Sequence, residues 1–173
     1  IKLTSDSGFI LNGSSRSKNG NVTKNEGEQD YWIVKLNSIG EIEWQKSFGG
    51  KDMDLGTDAI QTSTGDYIVT GYAGSGNSGD ITDSKGNGDA WVIKLNSSGN
   101  LIWKKSFGGS GGDFLYTVIE TIDGGYALAG DTTSNDGDVT GNHSEYFLDA
   151  WVIKLSTNGN IEWSKSFGGS QDD

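Results

Sequence analysis

Short segments of alternating residues recur along the chain, and polar turns rather than helical stretches separate them. In Asp89–Leu95 the residues Trp91, Ile93 and Leu95 alternate with Ala90, Val92 and Lys94. Both parities are largely apolar, so this strand is expected to be covered by other sheets on both faces. Asn96-Ser97-Ser98-Gly99 then reverses the chain, with the glycine supplying the positive φ that such a hairpin loop favours. A further strand over 100–107 sets Leu101, Trp103, Lys105 and Phe107 on one parity. Lys105, like Lys46 and Lys165 at the matching positions, is placed to lay its methylenes along the neighbouring indole and keep its ammonium in water. Upstream, hairpin turns are read at 5–8, 63–66 and 122–125. They lead into short apolar segments at 9–13, 67–71 and 126–130, each ending in a glycine where another backbone is expected to come close. A first strand over 113–121 carries Leu115, Val118 and Ile119. No stretch offers a helical period, so the expected class is all-β.

These elements repeat. Residues 30–50, 89–109 and 149–169 are near copies, and Trp32, Trp91 and Trp151 lie 59 and 60 residues apart, as do Trp44, Trp103 and Trp163. The repeat divides the chain into units 1–50, 51–109 and 110–169, with 170–173 opening another; the first strand of the first unit is incomplete. Four antiparallel strands per unit of about 60 residues, apolar on both faces, match one blade of a β-propeller. The expected fold is therefore a propeller segment of three four-stranded blades. A threefold closed β-trefoil or β-prism is the alternative that also uses three four-stranded repeats. Propellers have about four to eight blades, and an open row of three leaves two apolar faces bare. Further blades from a longer parent chain, or a second copy of the fragment, are expected to cover them. Ile1 falls inside a repeat and fits an excised or processed piece of something longer.

The succession Gly-Gly-Ser-Gly-Gly-Asp at 108–113, Asp123-Gly124-Gly125-Tyr126, Ala-Gly-Asp-Thr-Thr-Ser at 129–134 and Asp149–Leu155 resembles the SBBP-type β-propeller repeat. It is also similar to propeller repeats of large secreted and cell-surface proteins of Bacteroidota-like bacteria. The resemblance covers nearly the whole chain as three tandem copies. It implies extracytoplasmic placement, secreted or at the cell surface, and binding rather than a catalytic signature.

Composition narrows the partners. A net charge of -11, with 13 basic residues spread through the repeats, speaks against nucleic acid, which needs clustered Lys and Arg, and against anionic membrane surfaces. No apolar run approaches the roughly 18 to 20 residues that span a bilayer. Glycine numbers 28 and cysteine and proline none, so disulfides and thiolate metal sites fall away. Asn12, Asn21, Asn96 and Asn142 each begin an Asn-x-Ser/Thr triplet.

Three sets of side chains remain as candidates. Asp30, Asp89 and Asp149 precede the aromatic third strands and read as acceptors for nearby backbone N–H groups. Asp54, Asp113 and Asp173 follow each Phe-Gly-Gly by a constant offset. If the first strands are innermost, these carboxylates ring a channel mouth and attract cations; otherwise they cap the turn into the next blade. The polar loops 14–29, 72–88 and 131–148 carry the length variation that marks a functional face. Asp136, Asp138 and Asn142 in the third copy, and Asn77, Asp80 and Asp83 in the second, supply the oxygen donors calcium prefers, without the spaced Asp pattern of an EF-hand. Asn19, Asn21 and Asn25 replace them in the first.

Catalysis finds little to stand on. His143, the only histidine, reads as a solvated loop residue, and neither a nucleophile elbow nor a phosphate-cradling loop occurs. The functional expectation is a non-enzymatic binding or adhesion scaffold for a protein or glycan ligand, cut from a larger displayed propeller. The alternative is a carbohydrate-binding or carbohydrate-active module, with Tyr72, Tyr146 and Phe147 on the loops stacking against sugar rings.

Overall fold

The computed structural model of the chain describes residues 1–143 and 147–173. Its strands are β1 (Lys2–Leu3), β2 (Phe9–Ser15), β3 (Asp30–Leu36), β4 (Ile42–Phe48), β5 (Asp54–Gln61), β6 (Tyr67–Ala73), β7 (Asp89–Leu95), β8 (Leu101–Phe107), β9 (Asp113–Glu120), β10 (Tyr126–Thr132), β11 (Asp149–Leu155) and β12 (Ile161–Phe167). They form three antiparallel sheets of four, each in sequence order: β1 to β4, β5 to β8 and β9 to β12. No helix occurs among the described residues. The three sheets stack as blades and do not close on one another, so the threefold trefoil or prism does not apply.

Face-to-face packing follows from the period of two. On the middle blade, Tyr67, Val69, Trp91, Ile93 and Leu95 meet Ile10, Tyr31 and Ile33 of the first. From its other face, Ile68, Ala90, Val92 and Phe107 meet Leu115, Val118, Leu128, Trp151 and Ile153 of the third. Trp91 and Trp151 are 0% exposed. The Tyr31 ring stands edge-on to Trp91 at 5.1 Å, and its hydroxyl donates to the Trp91 carbonyl at 3.2 Å. Offset aromatic contacts of this kind add about 0.5–1.5 kcal/mol beyond the area they bury.

The hairpin turns carry positive φ as expected, at Gly40 (82°), Gly99 (75°) and Gly159 (71°). The second strands differ from expectation: β6 and β10 run two residues past Gly71 and Gly130. A Cβ at either glycine would meet a carbonyl of the neighbouring first strand. The pairing shifts register beside both positions, which lets the ladder continue through the close approach.

The sixth position of each third strand also departs from a simple alternation. Lys35 is 2% exposed and Lys154 7%. Lys35 Nζ reaches Asp6 at 2.7 Å, Glu43 at 2.8 Å and the Leu36 carbonyl at 2.9 Å. Lys154 repeats the arrangement with Asp123, Glu162 and the Leu155 carbonyl. A buried ammonium is tolerated only when its donors are paired, and here the first hairpin turn and the fourth strand each supply a carboxylate.

Replacing Trp91 with alanine empties the centre of the core between the first two blades. Urea denaturation of Trp91→Ala is expected to show a loss of about 3–5 kcal/mol in unfolding free energy.

Candidate functional site: the junctions between blades

The chain leaves each blade through Phe-Gly-Gly and enters the next at an aspartate that opens the first strand. Asp54 and Asp113 are 0% exposed. Asp54 Oδ2 accepts the Gly50 N–H at 2.8 Å and the Ser75 hydroxyl at 2.7 Å, and its Oδ1 accepts the Ser75 N–H at 3.2 Å. Asp113 does the same with the Gly109 N–H at 2.9 Å, the Ser134 hydroxyl at 2.8 Å and the Thr132 hydroxyl. Asp173 accepts the Gly169 N–H at 2.6 Å but is exposed. Each carboxylate thus sits in its own junction and is bonded to its own turn.

Asp30, Asp89 and Asp149 stand beside them. Their Oδ2 atoms accept the N–H groups of Glu26 at 2.8 Å, Lys85 at 2.8 Å and His143 at 2.9 Å. Among the described residues, their Oδ1 atoms are buried without a hydrogen-bond partner. A Cβ at Gly49 would lie 2.5 Å from Asp30 Oδ1 and 2.8 Å from Asp54 Oδ2, so the two carboxylates flank a space that only glycine leaves open. Burial pushes the carboxyls of Asp30, Asp54 and Asp113 above their usual range, and a nearby carboxylate pushes each further the same way: Glu26 on Asp30, Asp30 on Asp54 and Asp89 on Asp113. Donated hydrogen bonds pull in the opposite direction without winning.

Of the loop residues expected to ligate calcium, Asp80 and Asp138 fasten one blade to the next, while Asp83, Asp136, Asn77 and Asn142 bond within their own unit. Asp80 exchanges bonds with Gly49: its N–H donates to the Gly49 carbonyl at 2.8 Å, and its Oδ2 accepts the Gly49 N–H at 3.3 Å. Asp138 exchanges the same two bonds with Gly108, at 2.9 Å and 3.3 Å. Lys24 and Lys85 pair with these two carboxylates. Asp136 accepts the Ser110 N–H at 2.7 Å, Asp83 the Ser106 N–H at 3.0 Å and Asn77 the Ser84 N–H at 3.0 Å. Asn142 donates to the Ser134 carbonyl at 2.9 Å. Among the described residues, no group of three His, Asp or Glu side chains gathers where it could hold a metal ion. Next to each clasp, and at the matching site on the first blade, one residue turns inward: Ile81 is 1% exposed, Val139 1% and Val22 6%. The repeated apolar-Thr pairs at 22–23, 81–82 and 139–140 are the signal that could have located these anchors.

Of the aromatic candidates, Tyr72 lies flat on Phe114 of the next blade at 4.2 Å and 6°, so one of its faces is occupied. Phe147 is partly buried, and Tyr146 lies outside the described residues. Tyr116, which the sequence did not single out, continues the row beyond Phe114 at 6.4 Å and is 52% exposed. Its hydroxyl donates to Asp131 at 2.6 Å; burial and this carboxylate push its pKa up to about 12. Beside the same junction, Ser110, Gly111, Thr133, Asn135 and Asp136 line a polar cavity of about 350 Å³. His143 is not merely solvated: its Nδ1 lies 2.7 Å from Asp149 Oδ2, which already accepts the His143 N–H. The loop returns its ring to the strand start, a contact that residue spacing alone does not reveal.

No family model matches the chain, and no curated protein is similar to it.

The junction carboxylates fix a pH dependence. Asp54 has a raised folded value, so its contribution to stability is complete below the ordinary carboxylate value of about 4 and is lost as pH rises through the folded value. The advantage of the wild type over Asp54→Asn, measured by urea denaturation, is expected to shrink between pH 4 and pH 7. Asp123, lowered by its bonds to Thr121 and Lys154, runs the other way: its contribution is nearly complete above the ordinary carboxylate value, and the advantage over Asp123→Asn is expected to hold between pH 4 and pH 7 and to shrink as pH falls below 4. Asp138→Ala removes a clasp and is expected to lower the melting temperature by the same amount in calcium and in EDTA. A larger loss in calcium would assign Asp138 to a metal site.

Proposed function

We propose that the chain is a non-enzymatic binding scaffold, a segment of a larger propeller displayed outside the cytoplasm, whose ligand is a protein or a glycan. One observation carries this reading: four of the acidic side chains that would otherwise suggest chemistry are engaged at the junctions between blades. Asp54, Asp80, Asp113 and Asp138 each accept a backbone N–H from a Phe-Gly-Gly turn. The loops between the second and third strands differ in length and composition while their anchors stay fixed, which is how a rigid frame presents a variable surface. The resemblance to SBBP-type repeats of secreted and surface proteins supports the same reading.

The glycan form of this function has its own support in the row Tyr72, Phe114 and Tyr116 beside the polar cavity. The exposed phenol ring of Tyr116, bonded to Asp131, offers a stacking face, and the cavity's hydroxyl, amide and carboxylate groups offer hydrogen-bond partners for a sugar. On a glycan array the chain is expected to bind without turnover, and Tyr116→Ala to weaken that binding about tenfold, the loss of roughly 1.4 kcal/mol. Hydrolysis of any bound glycan by the purified chain would replace the scaffold with an enzyme.

A further inference from the structure

The two internal junctions use one set of contacts, and the free ends of the stack carry the two unmatched halves of that set. Between the first and second blades, the Trp44 ring takes Gly99, whose Cβ would come within 2.8 Å of it. The Trp44 indole N–H donates to the Ser97 carbonyl at 3.2 Å, and its ring meets Tyr67 at 5.4 Å. Between the second and third blades, the Trp103 ring takes Gly159 at 3.0 Å and meets Tyr126 at 6.4 Å. Phe107, at the end of the same strand, is buried to 4% exposure. On the third blade the equivalent Trp163 is 43% exposed and the equivalent Phe167 54%. With Val152 and Lys165 they line an apolar depression of about 440 Å³. At the other end, the equivalent turn on the first blade holds Gly40, with nothing within 4 Å of its Cβ position, and the ring equivalent to Tyr67 and Tyr126 is Phe9.

A second contact says which blade fits. At the first hairpin turn of each blade, one residue reaches the end of the next blade's first strand. Ser5 N–H donates to Gln61 at 2.7 Å, and Ser63 donates to Glu120 through its N–H at 2.7 Å and its hydroxyl at 2.9 Å. On the third blade this turn position is Ile122, which projects fully into solvent, and the residue equivalent to Gln61 and Glu120 on the first blade is Leu3, 70% exposed. The polar pair of the internal junctions has become an apolar pair divided between the two ends of one molecule. A blade bearing Gln or Glu at that position would bury its polar group against Ile122 without a partner; the first blade brings a leucine.

We propose that the open face of the third blade docks the first blade of a second copy of this chain, head to tail. Trp163 then rests on the Gly40 turn and against Phe9, and Ile122 packs on Leu3. Asn21, at the position of Asp80 and Asp138, lies where it can accept the Gly168 N–H. Two such contacts related by a twofold axis join two chains into six blades, within the about four to eight that propellers use.

The chain contains no cysteine, so engineered thiols report on the contact cleanly. Light scattering on the 173-residue chain is expected to give twice its mass of 18.4 kDa. Trp163→Glu, at an exposed site, is expected to return the single-chain mass with an unchanged far-ultraviolet dichroism spectrum. Ile102→Glu, on the middle blade whose neighbours are already in place, is expected to leave the doubled mass intact. The double variant Leu3→Cys with Ile122→Cys should form covalent dimers on mild oxidation, while neither single variant does. A single-chain mass at every concentration overturns the proposal and leaves the face to a following blade of a longer chain. Covalent dimers from Ile122→Cys alone overturn it in favour of third blade against third blade, and polydisperse aggregates overturn it as well.

Discussion

A sheet that is apolar on both faces cannot stand in water, and the middle blade meets this constraint by being covered twice. Trp91, Ile93 and Leu95 point one way and Ala90 and Val92 the other, and each set enters a different core. The stacking direction, the burial of Trp91 and Trp151 and the bareness of the end faces all follow from that alternation. The hydrophobic effect supplies the attraction but little orientation. Polar contacts at the strand starts and turns supply the register.

Those polar contacts exact a cost of their own. Each internal junction seals two carboxylates from water beside a glycine, and among the described residues one oxygen of Asp30, Asp89 and Asp149 is left unpaired. An unsatisfied buried acceptor costs about 1–3 kcal/mol. Its recurrence at the start of all three third strands ties it to the repeat rather than to an accident of one loop. What the arrangement secures is the sharp exit from one sheet and the start of the next within a few residues, with the turn's N–H groups all placed.

Much of this was legible in the sequence. The third strand was readable to the residue, because Asp89–Leu95 and Asp149–Leu155 combine a fixed starting aspartate with apolar residues of both parities. The three four-stranded sheets followed from the tryptophan spacing. The second strands looked shorter than they are because Gly71 and Gly130 read as ends, whereas the chain pairs on through them. The loops were harder still. Asp80 and Asp138 look like calcium ligands in isolation, and their link to Gly49 and Gly108 crosses 31 and 30 residues into another blade. The His143 contact with Asp149 and the ion cluster around Lys35 were hidden for the same reason: local spacing carries no trace of a partner that the fold delivers from elsewhere.

Because the contacts between blades are nearest-neighbour, the stack behaves as a short one-dimensional array in which each blade is held by its own hairpins and by one or two interfaces. Within a single chain the middle blade has two interfaces and the outer blades one each, so in a lone chain opening begins at the ends. Backbone amides of β6 and β7 lie in the most protected unit and those of β1 and β12 in the least. A ligand gripping the loops of two adjacent blades would therefore act as a third kind of fastening, stiffening the array in proportion to the number of junctions it spans.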